Sequence, residues 1–195
     1  MSRFTLHTPR SAPTRGARAA LREVQRVRGT VPHLHAALAL SEPALRAYMA
    51  LGDQLANTRL TTLERQVVMM EANHHNGAPY CMAGHSAIAH ALGMPPEWLQ
   101  ALREGAALPD ARIEALRQFT RSALQQRGAV SDAEWAAFQA AGYGPEQALE
   151  VVLAITIKTL SNFTSRMGSL PHDVGLQPWA WSAPAPSEGE PHVHE

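Results

Sequence analysis

A chain of 195 residues with 45% hydrophobic content can bury one sizeable core. Lys plus Arg balances Asp plus Glu at 17 each, so no net field draws the protein to nucleic acid or to an anionic membrane. One cysteine excludes an intrachain disulfide framework and fits a reducing, cytoplasmic setting, which leaves small molecules or other proteins as partners and one domain as the expectation.

The first 28 residues carry seven arginines with Glu23 as their only acid, a pattern to be weighed against a transit peptide; no apolar segment marks a secretory signal. Helix signals follow one another without a convincing alternating strand. Pro13 to Arg28 reads as a first helix closed by Gly29, and His33 to Leu40 as a short apolar one. Ser41 caps a helix from Glu42 to Ala56 with Pro43 in its first turn. Thr61 and Glu64 form a capping box that opens a helix ending at Asn76-Gly77. Pro79 starts the next, which Gly93 closes after Leu92.

Further on, the Pro95-Pro96 pair begins another helix, Asp110 caps one that reaches Arg127, and Ser131 with Glu134 boxes one that ends near Gly142. From Pro145 to about Met167 a long helix carries an apolar run wide enough to be surrounded by protein; the run 148–157 is too short to span a membrane and contains Glu150. Residues 182–195 are Pro-, Ser- and Glu-rich and read as a disordered tail on a domain of residues 1–181.

The single cysteine falls in the segment NGAPYCMAGHS. With Pro79 at the helix start, Cys81 occupies the first turn, where unpaired N–H groups and the positive end of the helix dipole favour an anion. His85 lies one turn on, on the same face, within reach to exchange a proton with the thiol or to pair with the thiolate. The placement activates the thiol as a nucleophile. The plainer alternatives are a thiol that fills space and a histidine satisfied inside the fold.

The run LTTLERQVVMMEANHHNGAPYCMAGHS, Leu60 to Ser86, resembles the core motif of the AhpD-like alkylhydroperoxidase and carboxymuconolactone decarboxylase family. HTPRSAP and TVPHLHAALALSEPALRAYMAL upstream, and LSNFTSRMGSLPHDVGLQPWAW downstream, resemble its peroxidase-related branch, which makes the arginine-rich start look like mature protein. The resemblance implies an all-α AhpD-like helical bundle and a homo-oligomer. It also implies a thiol peroxidase in which the second cysteine of a CxxC attacks the peroxide, the first resolves the sulfenic acid, and the histidine relays protons with a glutamate of the preceding helix.

On this chain the attacking thiol is Cys81 and the relay imidazole His85. Ala78 stands in place of the resolving cysteine and Gln66 in place of the relay glutamate. The sulfenic acid must then be reduced by an external thiol or by a neighbouring subunit's Cys81. Glu71 could orient His75 or substitute for the missing relay; the competing reading gives Glu64 to its capping box and Glu71 to a surface pair.

The function expected is reduction of a hydroperoxide by Cys81, with His85 supplying the proton to the leaving group. The partners are a hydroperoxide or other small molecule, an external thiol reductant and further copies of the chain, with no nucleic acid, membrane, cofactor or metal. The rivals are a lyase or isomerase of the decarboxylase branch using histidine acid–base chemistry, and a non-catalytic redox-sensing oligomer. A zinc set of His74, His75, Cys81 and His85 and a metal-binding HisValHisGlu terminus rank below these. Trp98, Trp135, Trp179 and Trp181 read as core or subunit-contact residues.

Overall fold

The computed structural model describes residues 2–183. Among them are nine α-helices and no strand: α1 Arg15–Arg28, α2 His33–Leu38, α3 Glu42–Ala56, α4 Thr62–His75, α5 Pro79–Ala91, α6 Pro96–Glu104, α7 Ala111–Gln125, α8 Asp132–Ala140 and α9 Pro145–Met167. The boundaries follow the chemistry of the caps. The hydroxyls of Thr14, Ser41, Thr61 and Ser131 and the carboxylate of Asp110 each accept from a backbone N–H of the first turn. Both capping boxes, Thr61 with Glu64 and Ser131 with Glu134, are closed.

Helix α4 is the centre of the bundle, packed against α5, α6, α7 and α9. It is buried on most of its circumference, from Glu64 through Asn73. Three apolar clusters surround it. One joins α1–α3 to Ala78, Tyr80 and Cys81; one joins α4 to α7, α8 and α9 through Met69, Phe119 and Phe138; the third joins α4 and α5 to α6 through Met70, Met82 and Leu102.

The junction of α4 and α5 sets the position of Cys81. Gly77 takes φ of 53°, a left-handed conformation that costs glycine little, and the reversal lets Ala78 N–H donate to Asn73 O at 3.0 Å. Pro79 then occupies the first helical turn and Ala78, wholly buried, the N-cap.

Two features depart from the sequence reading. A short 3-10 helix, Val174–Trp179, lies against α5, and its flank is tied to α6 by Arg103, whose guanidinium donates to Trp179 O and Ala180 O. Proline at 178 and the absence of a helical period hid it. Helix α9 is also not surrounded by its own chain: Ala154, Ile157, Lys158 and Ser161 are buried, but Leu149, Val152, Phe163 and Met167 are exposed. The tail expected from 182 and its HisValHisGlu end lie, from residue 184 on, outside the described residues.

Candidate functional site

Cys81 sits in the first turn of α5 and is 4% exposed. Its sulfur faces α9, where Ser165 Oγ lies 3.6 Å away. The Ser165 hydroxyl has one proton, which reaches Asn162 O at 3.0 Å in the same helix. Turned the other way, it can donate to a thiolate.

Seven residues before Ser165, two turns along the same face of α9, stands Lys158. It is 1% exposed, and its Nζ lies 3.0 Å from His85 Nε2. Lys158 also stands near enough to Cys81 that a negative charge on the sulfur would favour its ammonium. The two helices cross so that Cys81 meets Ser165 and His85 meets Lys158.

His85 is completed from α4, where the buried Gln66 places Oε1 2.8 Å from Nδ1. In its ammonium form Lys158 has no lone pair and donates to Nε2. The imidazole proton is then on Nδ1, donated to Gln66. Burial first, and then the charges of Lys158 and Arg28, hold the imidazole well below its usual range, so the ring is neutral at pH 7. Burial also lowers Lys158 from the ordinary lysine range, with Cys81 opposing that shift.

Beyond this group, Tyr48 is pushed up to about 12 by burial and by the charge of Cys81. Its ring meets His35 edge-on at 5.3 Å. On the other side of Cys81, a cleft of about 460 Å³ opens at the start of α5, lined by Pro79, Tyr80, Ser165, Arg166 and His172. Ser165 belongs both to the cleft wall and to the surroundings of the sulfur. Tyr80 fixes one wall by donating its hydroxyl proton to Asp173 Oδ2 at 2.6 Å while accepting from Leu34 N–H at 3.2 Å.

The structure thus brings Cys81, His85 and Gln66 together, with Lys158 bonded to His85. Among the described residues, Cys81 and His85 share no direct hydrogen bond. Glu71 is elsewhere. It is 1% exposed, with one carboxylate oxygen held by Arg117 at 3.1 Å and the other by Arg121 at 2.6 Å. That corrects the expected surface pair to a buried one, made because α7 lies along α4 and delivers two guanidiniums to it. His75 is exposed at the end of α4, while His74 turns inward against Trp181. Among the described residues no three His, Cys, Asp or Glu side chains are grouped to hold a metal ion. Trp135 packs into the α7–α8 cluster, and Trp98, Trp179 and Trp181 pack around α6.

Lys158 is the residue that sequence reasoning missed. A signal was present: it is the chain's only lysine, every other member of the Lys/Arg class being arginine, and it lies in an uncharged stretch of the longest helix.

The fold, an all-helical bundle with a buried thiol in the first turn of α5, is AhpD-like. Residues 42–125, which hold α3 to α7 with Cys81, His85 and Gln66, match the model of the carboxymuconolactone decarboxylase family. It resembles an uncharacterized peroxidase-related protein with an AhpD core from Ralstonia eutropha JMP134, with TM-score 0.78, 23% identity, and coverage of 90% of this chain and 94% of that one. A peroxidase-related protein from Silicibacter sp. TM1040 gives TM-score 0.74 at 18% identity, covering 90% and 97%. A cysteine-to-alanine variant of the debrominase Bmp8, in complex with 2,3,4-tribromopyrrole, gives TM-score 0.73 at 17% identity, covering 92% and 97%. A comparison with curated proteins returned no match. No helix among the described residues is long and apolar enough to cross a membrane.

Proposed function

We propose that the protein is a single-cysteine, thiol-dependent reductase of hydroperoxides. The observation that carries this reading is the burial of the chain's one thiol in a helix first turn, against the one lysine. A cation and a helix N-terminus both favour the thiolate, the form of sulfur that attacks. Cys81 attacks the terminal oxygen of the peroxide, and the alkoxide leaves with a proton from the His85–Lys158 pair. With Ala78 where a resolving cysteine would stand, an external thiol reduces the sulfenic acid, which suits a reducing compartment such as the cytoplasm. The peroxidase-related names of two structural neighbours agree with this chemistry. The debrominase neighbour widens the class of small electrophiles to be tried.

We further propose that the exposed apolar side of α9, with Leu149, Val152, Phe163 and Met167, is covered by a second copy of the chain. Histidine acid–base chemistry of a lyase is disfavoured because both ring nitrogens of His85 are committed. Turnover of tert-butyl hydroperoxide with a dithiol reductant tests the reading. Cys81→Ala must abolish it; activity that survives this change but is lost in His85→Ala would assign the site to the lyase branch.

A further inference from the structure

Lys158 is buried to 1% exposure, and among the described residues no carboxylate pairs with it. Its Nζ bonds to His85 Nε2, and the Cys81 sulfur, one turn before His85 on α5, faces the same side of α9 at Ser165, near enough for its charge to act on the ammonium. A lone buried ammonium is expensive unless a counter-charge stands beside it. The group able to supply that charge is the thiolate.

We propose that Lys158 is a catalytic residue of the site: it is the counter-ion of the Cys81 thiolate and the acid that protonates the leaving oxygen, while His85, held by Gln66, is the positioning residue that aims it. The proposal rests on the reading of Cys81 as the attacking group. With Lys158 as the ammonium, His85 has no proton to give toward the sulfur: the Nδ1 proton goes to Gln66 Oε1, and Nε2 offers a lone pair to Lys158. The mobile proton next to the sulfur is therefore on Nζ. Gln66, unlike a glutamate, brings no negative charge that would draw a second proton onto the ring.

The choice of residue fits the task. Arginine stays protonated at all working pH values, whereas a buried lysine gives up its proton. In a chain that otherwise uses arginine throughout, the exception lies at the thiol. Burial favours the neutral amine and so makes the ammonium a better acid, and Arg28 adds positive charge on the side of His85.

The step balances. The thiolate attacks the terminal oxygen of R–O–O–H, the S–O bond forms as the O–O bond breaks, and sulfur is oxidised by two electrons as the peroxide is reduced. The leaving RO⁻ takes one proton from Lys158, giving the sulfenic acid, ROH and a neutral amine. An external thiol then condenses with the sulfenic acid to give a mixed disulfide and water. A second thiol attacks that disulfide; its proton goes to the Lys158 amine, its sulfur leaves as part of the reductant's disulfide, and Cys81 is released as thiolate beside the restored ammonium.

The test compares Lys158→Met and Lys158→Arg with the parent in two assays. The first is alkylation of Cys81 by iodoacetamide at pH 7, with no peroxide present. The second is single-turnover oxidation by tert-butyl hydroperoxide and by peroxyacetic acid, whose carboxylate leaving group needs no proton. Lys158→Met should slow alkylation about tenfold or more, since the thiolate loses its counter-ion. It should slow the reaction with tert-butyl hydroperoxide by about a hundredfold to ten-thousandfold, and that with peroxyacetic acid only as much as alkylation. Lys158→Arg, which keeps the charge without a transferable proton, should preserve alkylation and still fail with tert-butyl hydroperoxide. His85→Asn should weaken the tert-butyl hydroperoxide reaction while leaving the dependence on leaving group intact.

Equal losses with both oxidants would overturn the acid role, and unchanged alkylation in Lys158→Met would overturn the counter-ion role. A parent inert to both oxidants would overturn the peroxide reading and the acid step with it, and the alkylation contrast would still judge the ion pair. Helical circular dichroism on each variant separates these outcomes from failure to fold, and Lys158→Arg keeps the charge question open to measurement if Lys158→Met does not fold.

Discussion

Lys158 Nζ and His85 Nε2 are 3.0 Å apart, contributed by two helices that are 73 residues distant in sequence. With Lys158 as the ammonium the contact sets the tautomer of His85, because an ammonium can only donate. It also ties the chemistry of the thiol to α9, a helix outside the segment that defines the family match.

The tautomer assignment is open to direct measurement. Gln66→Glu puts a carboxylate 2.8 Å from Nδ1, where the parent has an amide oxygen. The new charge raises the ring's affinity for a second proton, and an imidazolium would present N–H to N–H at Lys158. Nitrogen-15 chemical shifts of the ring should show a neutral His85 in the parent from pH 5 to 8, and in Gln66→Glu a ring that gains a proton within that range.

Buried histidines predict the acid side of the stability curve. Burial holds His35 down to about 4 against 6.5 when unfolded, and it lowers His85 and His74 as well. Between the two values the unfolded chain binds more protons, so stability rises with pH there and is lost on acidification from 6.5 toward 4. His35 alone accounts for about 3 kcal/mol across that window. Urea midpoints at pH 7.5 and pH 5 should differ accordingly, and His35→Leu should narrow the gap.

Glu71 serves the bundle and not the thiol. Removing it strands Arg117, which is 1% exposed, although Glu114 still holds that guanidinium at 2.6 Å. Glu71→Ala should cost about 3 kcal/mol, the lower end for breaking a buried pair. In the same folded variant, iodoacetamide should alkylate Cys81 at the parent's rate. Urea denaturation and the alkylation rate check the two halves separately.

The α9 face predicts assembly. Light scattering should report an oligomer at micromolar concentration, and Phe163→Glu with Val152→Glu should give smaller, still helical particles. A monomeric parent would remove the second copy from the account.

The helices were legible because their ends are chemical: Thr61–Glu64, Ser131–Glu134, Asp110 and Pro79 are local signals that survive folding unchanged. Cys81, His85 and Gln66 were legible through a motif confined to two successive helices. Lys158 was not, since hydropathy reads a lone lysine in an apolar helix as an interruption and spacing gives no link across 73 residues. Glu71 was misjudged because a helix buried on most of its circumference carries no amphipathic pattern to say which charges face inward.

The measurement that bears most directly on the reading of Cys81 as a peroxide-reducing thiolate is the mass of the protein after one equivalent of tert-butyl hydroperoxide at pH 7. The account predicts gain of a single oxygen, located on Cys81, trapped by a sulfenic-acid reagent and reversed by added thiol. An unmodified thiol after that treatment, with the protein folded and the peroxide intact, would contradict it.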